Sequence, residues 1–250
     1  MNNIATKVLI TGSSSGIGRG IAETFVSLGS QVVINGRNEE KLANLAANNT
    51  NYFPVCGDVS DPSQASSIVA DAACVLGGID LIICNVGSGV SVAPGKETHG
   101  EWLRVLGQNF FSATNIIEAG VKYLRESKGS IICISSICGS EVIPGAPITY
   151  SVAKAALNAY VKGISKSLGA LDIRINAVAP GNIIFEGSVW DRKTKQDLSS
   201  VNDMLYNEVS LRRLGAVSEI VDTVVWLASP KSSFITGSVL VVDGGQTRSF

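Results

Sequence analysis

One histidine, His99, serves the whole chain of 250 residues. Metal centres built on imidazole are thereby excluded, and a serine or cysteine nucleophile would have a single candidate base. Five cysteines, an odd number with no Cys-x-x-Cys among them, make neither a disulfide framework nor a dithiol redox motif. Cys56, Cys84 and Cys133 stand in apolar, strand-like runs and read as small buried thiols. No apolar run approaches the ~18 residues that a membrane span needs, and the first strand starts by about residue 7, so neither an anchor nor a signal peptide is expected. A cytoplasmic location is the corresponding expectation. Neither sign of charge dominates: 20 Lys and Arg stand against 21 Asp and Glu, scattered along the chain, for a net charge of −1. Without a basic stripe or a polybasic patch, nucleic acid and membrane are not expected as partners. Repeats, low-complexity segments and linkers are missing too, which predicts one domain over residues 1–250.

What the chain does have is hydrophobic bulk, 45% of its residues, set in short runs. Apolar strands are expected near residues 7–11, 31–35, 52–56, 79–84, 130–134, 173–178 and 238–242, with helices between nearly all of them. Two helix starts are well marked. Asp61-Pro62 puts a capping carboxylate before a proline at the first helical position, and Thr98 to Glu101 has the spacing of a capping box. Apolar strands separated by helices call for an α/β fold, a Rossmann-type doubly wound parallel sheet of about seven strands covered on both faces. Such a sheet binds its ligand beyond the carboxyl ends of the strands.

Two motifs lie at that edge. The first strand runs directly into Gly12-Ser13-Ser14-Ser15-Gly16-Ile17-Gly18 and then into a helical pattern. Glycines let backbone N–H groups approach a pyrophosphate, and the helix behind them offers the positive end of its dipole. After the fifth strand comes Ser136, then Tyr150, with Lys154 one helical turn beyond it. Residues at i and i+4 share a helix face, so an ammonium can sit beneath the phenol and favour its ionised form. A free phenol, with a pKa near ~10, is otherwise a sluggish proton carrier at neutral pH. Together, Gly-x-x-x-Gly-x-Gly and Tyr-x-x-x-Lys resemble the short-chain dehydrogenase/reductase family, and the similarity runs from Thr11 to Gly245 through several motifs in the family's order.

The resemblance implies an oxidoreductase that interconverts a carbonyl and a secondary alcohol by hydride transfer with a nicotinamide cofactor. Tyr150 would be its general acid/base and Ser136 a second donor to the carbonyl oxygen. Lys154 would lower the phenol's pKa and bind the nicotinamide ribose, and Asn109 would organise a proton-relay water near that lysine. Gly12, Ser14, Ser15, Gly16, Ile17 and Gly18 match the phosphate turn, Asp58 and Val59 the adenine contact, and Asn85, Val86 and Gly87 the segment after the fourth strand. Pro180 and Gly181 match the turn beside the nicotinamide, and Asp243-Gly244-Gly245 the end of the last strand. The chain also departs from the pattern. Val86 stands in place of alanine and should shift its loop slightly. Phe185 falls where many relatives have a threonine that bonds the carboxamide, so backbone groups such as those of Ile183 would take over that contact. The interval from Ser136 to Tyr150 is one residue longer than the commonest spacing, so the loop from Gly139 to Thr149 is expected to bulge toward the substrate.

The end of the second strand discriminates between cofactors. An NAD enzyme places a carboxylate there to accept from the ribose 2′-hydroxyl. Here that place is Gly36, and the next residue, Arg37, offers a guanidinium suited to a 2′-phosphate. NADP(H) is therefore expected over NAD(H), and the resemblance to NADP-preferring relatives implies that Ser14 and Asn38 add hydrogen bonds to the same phosphate.

Other functions deserve comparison. Gly12-Ser13-Ser14-Ser15-Gly16 also spells the nucleophile elbow of a hydrolase, with Ser14 as nucleophile and His99 as base, but an elbow normally follows several strands and its histidine follows a later acid. A non-catalytic NADP-binding protein is an alternative, since the scaffold alone does not imply chemistry. The full set of Asn109, Ser136, Tyr150 and Lys154 argues against it. The substrate is a small molecule whose identity stays open. Residues 182–210, with Ile183, Ile184, Phe185 and Trp190, read as a lid, and Val142, Ile143, Pro144 and Ala146 face it to give a mainly apolar pocket. An acyl chain, a terpenoid, a steroid or the carbon face of a sugar would suit it. A narrower alternative is a 3-oxoacyl-carrier-protein reductase. Such enzymes tend to carry basic residues at the mouth of the site; Arg125 and Lys128 fit that pattern, whereas Leu171-Asp172 stands where many have an arginine. The family implies a homotetramer, with a dimer as the alternative. Ala153, Ala155, Ala156 and Ala159 are small residues that could form one contact surface or face the chain's own sheet, and Val239 to Val242 with the helix bearing Val221, Val224, Val225 and Trp226 could form another.

Overall fold

In the computed structural model, which describes residues 6–47 and 49–249, strand and helix alternate as the apolar pattern requires. The first part comprises β1 (Lys7–Ile10), α1 (Gly16–Ser27), β2 (Gln31–Gly36), α2 (Glu39–Ala46), β3 (Tyr52–Cys56), α3 (Pro62–Leu76), β4 (Leu81–Cys84) and α4 (His99–Leu106). After a π-helical turn at Gly107–Phe111 come α5 (Ser112–Ser127), β5 (Ser130–Ile134), a 3-10 turn at Ile137–Gly139, α6 (Ile148–Gly169) and β6 (Arg174–Pro180). The last part holds β7 (Ile183–Ile184), α7 (Val189–Gln196), α8 (Leu198–Glu208), β8 (Gly215–Ala216), α9 (Val217–Ala228) and β9 (Val239–Val242).

Seven strands form one parallel sheet in the order β3-β2-β1-β4-β5-β6-β9. β7 and β8 pair separately. Successive side chains of a strand point to opposite faces, so a sheet covered on both sides takes apolar residues at nearly every position. In β1, Val8 and Ile10 pack with Ile21 and Phe25 of α1 and with Ile220 and Val224 of α9, while Leu9 joins Ile68 of α3, Ile116 of α5 and Val161 of α6. Each fully buried side chain of this kind is worth roughly 1.5–3 kcal/mol. Two such layers hold the sheet, which leaves the loops at its carboxyl edge free to carry function.

The helix starts follow their caps. The Asp61 carboxylate accepts the N–H groups of Ser63 at 2.8 Å and Gln64 at 3.1 Å, with Pro62 at the first turn. Thr98 accepts the Glu101 N–H at 3.2 Å, but the Glu101 carboxylate turns to Ser91 and Arg104, so the capping box is half made. Cys56 corrects the sequence expectation. It is exposed, because β3 is the sheet's edge and only alternate residues face the core, whereas Cys84 and Cys133 are buried. Pro54 sits in the same edge strand, where a missing N–H costs little. Among the described residues, no helix is long and apolar enough to cross a membrane.

Candidate active site

The strand order reverses between β1 and β4, and a cleft of about 1230 Å³ opens at the carboxyl ends there. Its floor is the glycine turn. Gly12 has φ +63°, and a Cβ on Gly18 would collide with the Gly12 carbonyl oxygen and the Asn85 amide. Asn85 Nδ2 donates to the carbonyls of Thr11 at 3.1 Å and Gly12 at 3.0 Å, so the amide at the end of β4 clamps the turn. Val86 lies against Gly12, its Cγ2 3.0 Å from where a Cβ would stand, which is where its extra methyl groups are accommodated. Behind the turn, α1 begins with no side-chain cap and no acid in its first turn, whereas α2, α3 and α4 are capped by Asn38, Asp61 and Thr98. An uncapped helix start at a cleft leaves N–H groups for an anion, and the turn in front of it has room only for backbone. The donor set fits a pyrophosphate. The ring of Phe185 closes over this point, with Cε2 2.6 Å from where a Cβ on Gly16 would be.

At the outer end of the cleft, Arg37 Nη1 lies 3.5 Å from Asp58 Oδ2, an ion pair that spacing alone did not suggest. Burial pushes the Asp58 carboxyl up, but the Ser60 hydroxyl and N–H, at 2.6 and 2.9 Å, and the Arg37 charge outweigh it and hold the group below its usual range. Asn38 is taken up as the cap of α2, its Oδ1 accepting the Lys41 N–H at 2.8 Å, and it does not line the cleft. Ser14, Ser15, Ile17, Val59, Gly87, Pro180, Gly181 and Ile183 do line it; Gly16 and Gly18 lie behind the turn.

The inner end gathers Ser136, Tyr150 and Lys154. A Cβ on Gly139 would stand 2.6 Å from the Lys154 carbonyl carbon, so this glycine lets the 3-10 turn after Ser136 lie directly on α6 and brings serine to tyrosine. The Ser136 hydroxyl lies in the cleft beside the phenol and accepts the Cys138 N–H at 3.2 Å. Lys154 Nζ donates to the Ile134 carbonyl at 2.8 Å and sits 5.9 Å from the centroid of the Tyr150 ring. Burial pushes the phenol up to about 12, opposed by the neighbouring Ser136 hydroxyl and reinforced by Cys138. Burial likewise pulls Lys154 down to about 8, against the thiols of Cys133, Cys84 and Cys138. Burial is the largest influence on both groups, and Nζ is committed to a backbone carbonyl under the ring.

Asn109 sits in the π-helical turn. Its Oδ1 accepts the Ser88 N–H at 2.8 Å, and its Nδ2 donates to the carbonyls of Ser88 at 3.2 Å and Val105 at 3.1 Å. It does not line the cleft, yet a Cβ on Gly87 would be 2.9 Å from its Oδ1 and 3.1 Å from Lys154 Nζ, so amide and ammonium meet beneath Gly87. Sequence reasoning missed Asn115, whose Nδ2 holds the carbonyls of Val59 and Ser60 at 3.2 Å each and thereby positions the loop after β3. A polar residue next to the apolar pair Ile116 and Ile117 was the available signal. On the opposite wall, Ser188 caps α7 through the Asp191 N–H at 2.9 Å, and α7 buries no residue of its own. Trp190 lines the cleft while packing on Val201, Leu205 and Val209. His99 is exposed and apart from the cleft, so Ser14 has no imidazole base. Among the described residues, no group of three or more His, Cys, Asp and Glu could hold a metal ion.

Residues 12–247 match the family model described as Enoyl-(Acyl carrier protein) reductase. The chain is 34% identical to a tropinone reductase homolog of Arabidopsis thaliana, over 96% of this chain and 74% of that protein. It is 35% identical to a 3-oxoacyl-[acyl-carrier-protein] reductase of Chlamydia muridarum, over 95% of each. The chain belongs to the short-chain dehydrogenase/reductase family. As a short-chain dehydrogenase/reductase it is an oxidoreductase acting on CH–OH/C=O groups. A solved structure with a TM-score of 0.91, L-sorbose reductase from Gluconobacter frateurii complexed with NADPH and L-sorbose, is 26% identical, covering 99% of this chain and 98% of that one.

Proposed function

We propose that residues 1–250 form one catalytic domain, an NADP(H)-dependent enzyme that reduces the carbonyl of a free small molecule to a secondary alcohol and runs in reverse with the same residues. What carries this is the meeting, in one cleft, of an uncapped helix start with Ser136, Tyr150 and Lys154. The glycine turn and the start of α1 would hold the pyrophosphate, Asp58 and Val59 the adenine, and Pro180, Gly181 and Ile183 the nicotinamide side. Arg37, with no acid at Gly36, would hold the 2′-phosphate; the NADPH of the L-sorbose reductase structure supports the same choice. When bound, this cofactor supplies the hydride.

Ser136 and Tyr150 supply two hydroxyls to the carbonyl oxygen as negative charge grows on it. A phenol held up to about 12 is fully protonated at neutral pH and so is loaded as the acid. The Lys154 ammonium beneath the ring stabilises the phenolate left behind, and the π-helical turn at Asn109, next to Lys154, is where a relay water would resupply the proton. Ile143, Ala146, Val189 and Trp190 give the substrate an apolar surround, with residues 182–210 as its lid.

The names of the family model and of the Chlamydia relative favour a carrier-protein thioester as substrate. Against it, Arg125 and Lys128 stand just before β5, at the amino edge of the sheet and outside the cleft, so the basic residues that the sequence suggested for a carrier do not flank the site. A free ketone or ketose is the preferred class. A panel of ketoses, cyclic ketones, a steroid ketone and a 3-oxoacyl thioester, each with NADPH and NADH, tests this. NADPH-dependent turnover of a free ketone above that of the thioester is expected. Binding of NADPH with no turnover across the panel would favour the non-catalytic alternative.

We further propose a cytoplasmic homotetramer. Ala155 and Ala159 face outward on α6, edge strand β9 exposes Val241, and Trp226 and Phe234 are exposed nearby in sequence. Five cysteines with no Cys-x-x-Cys, an odd number, suit a reducing compartment. Light scattering at low micromolar concentration should give a tetramer mass; a fully active monomer would overturn the assembly.

A further inference from the structure

The residues beyond β9 touch both walls of the substrate side of the cleft. On one side is the loop that carries Ile143 and Ala146. There the Glu141 carboxylate accepts the backbone N–H groups of Arg248 at 2.8 Å and Ser249 at 3.1 Å. On the other side, just past α8, the Leu211 N–H donates to the Gly244 carbonyl at 3.0 Å and the Ser210 hydroxyl to the Gly245 carbonyl at 2.9 Å. That is the wall on which Trp190 packs. Between the two anchors, Asp243 accepts the Gly245 N–H at 2.9 Å, the Thr247 N–H at 2.7 Å and the Thr247 hydroxyl at 2.8 Å. Gly244 and Gly245 have φ +66° and +78°, a tight path that a residue with a side chain resists. Terminal residues are poorly ordered unless tied down. Here two carboxylates tie them.

We propose that Gly244 to Ser249 is a strap that fixes the distance between the two walls, with Glu141 as its buckle, and so sets the size of carbonyl compound that the cleft accepts. Glu141 is a positioning residue: it acts through the loop bearing Ile143 and Ala146 and not on the reacting atoms. The proposal rests on the reading that the carbonyl compound binds between these walls.

Three variants test it: Glu141→Ala, Glu141→Gln, which keeps an acceptor oxygen in the same place, and a chain ending at Gln246. Each is compared with the wild type by kinetics on ketones of graded size and by hydrogen exchange at residues 140–147 and 189–197. In the alanine variant and the shortened chain, KM for the best ketone should rise about fivefold while kcat and NADPH affinity stay within about twofold. Preference should move toward bulkier ketones, exchange should quicken at both walls, and the glutamine variant should recover most of the loss. Faster exchange with unchanged KM and size preference overturns the role in specificity, and unchanged exchange overturns the strap itself. If the wild type reduces no carbonyl at all, the reading of the site fails and the specificity role with it, while the exchange comparison still decides whether the walls are tied.

Discussion

The glycine turn and the substrate walls are held in opposite ways. Around the turn, side chains grip backbone: Asn85 holds Thr11 and Gly12, Asn35 Nδ2 holds the Val55 and Gly57 carbonyls at 3.0 and 3.3 Å, and Asn115 holds Val59 and Ser60. A single methyl added at Gly18 has nowhere to go. The walls, by contrast, are a loop and a helix that buries no residue of its own, tethered by caps and by the C-terminal segment. Cofactor chemistry is thus written into backbone geometry that few residue types can satisfy. On the reading proposed above, substrate choice rests on side chains carried by a loop and by a helix that buries no residue of its own.

The strongest way to separate the two ends is at the point where they meet. Tyr150→Phe removes only the phenolic oxygen, so kcat should fall by about a hundredfold or more while NADPH affinity stays within about twofold. Retention of more than a tenth of wild-type turnover would place the acid elsewhere.

A smaller effect should come from the outer end. Replacing Gly36 with Asp and Arg37 with Gln adds a ribose acceptor and removes a phosphate partner, and should shift the ratio of kcat/KM for NADPH over NADH by about tenfold or more toward NADH. Gly36 has no left-handed φ, and its new Cβ would lie 3.3 Å from Ser14 Oγ, a contact that a small movement of the hydroxyl relieves. The lost Arg37–Asp58 pair is solvent-exposed and contributes little to stability. The carbonyl KM should not move; if it does, the two ends are coupled and the contrast drawn above is wrong.

The same contrast explains what could be read in the sequence. The seven strands were legible because a sheet buried on both faces holds few polar residues, and those few, such as Asn35 and Asn176, are hydrogen-bonded; the glycine turn was legible because its glycines answer a steric demand. Cys56 was misread because whether a strand is an edge depends on sheet order, which no local pattern carries. The π-helical turn at Asn109 leaves no trace in helical spacing, and β7 and β8 are too short to show a period. The bond from Arg248 to Glu141 joins residues 107 positions apart, beyond any motif. For Lys154 the spacing placed the ammonium under the ring, but only burial reveals that desolvation governs both pKa values.

That burial gives the smallest and most specific prediction. Burial pulls Lys154 down to about 8 in the folded protein, from the 10.5 of an ordinary lysine. Between those values the unfolded chain binds a proton that the folded chain has released, so this group's contribution to stability rises with pH across the window and is least favourable below pH 8. Lys154→Met keeps the length and removes the charge. It also leaves the Ile134 carbonyl without its donor, a penalty that does not depend on pH. The Tm of the variant minus that of the wild type should therefore fall by a few degrees between pH 7 and pH 10, whatever its starting sign. Tyr150 works the other way, since a phenol raised to about 12 loses stability between pH 10 and 12, so the comparison is made below pH 10. Thermal melts of both proteins across that range decide it, and a pH-independent difference would mean that the ammonium is solvated in the folded state.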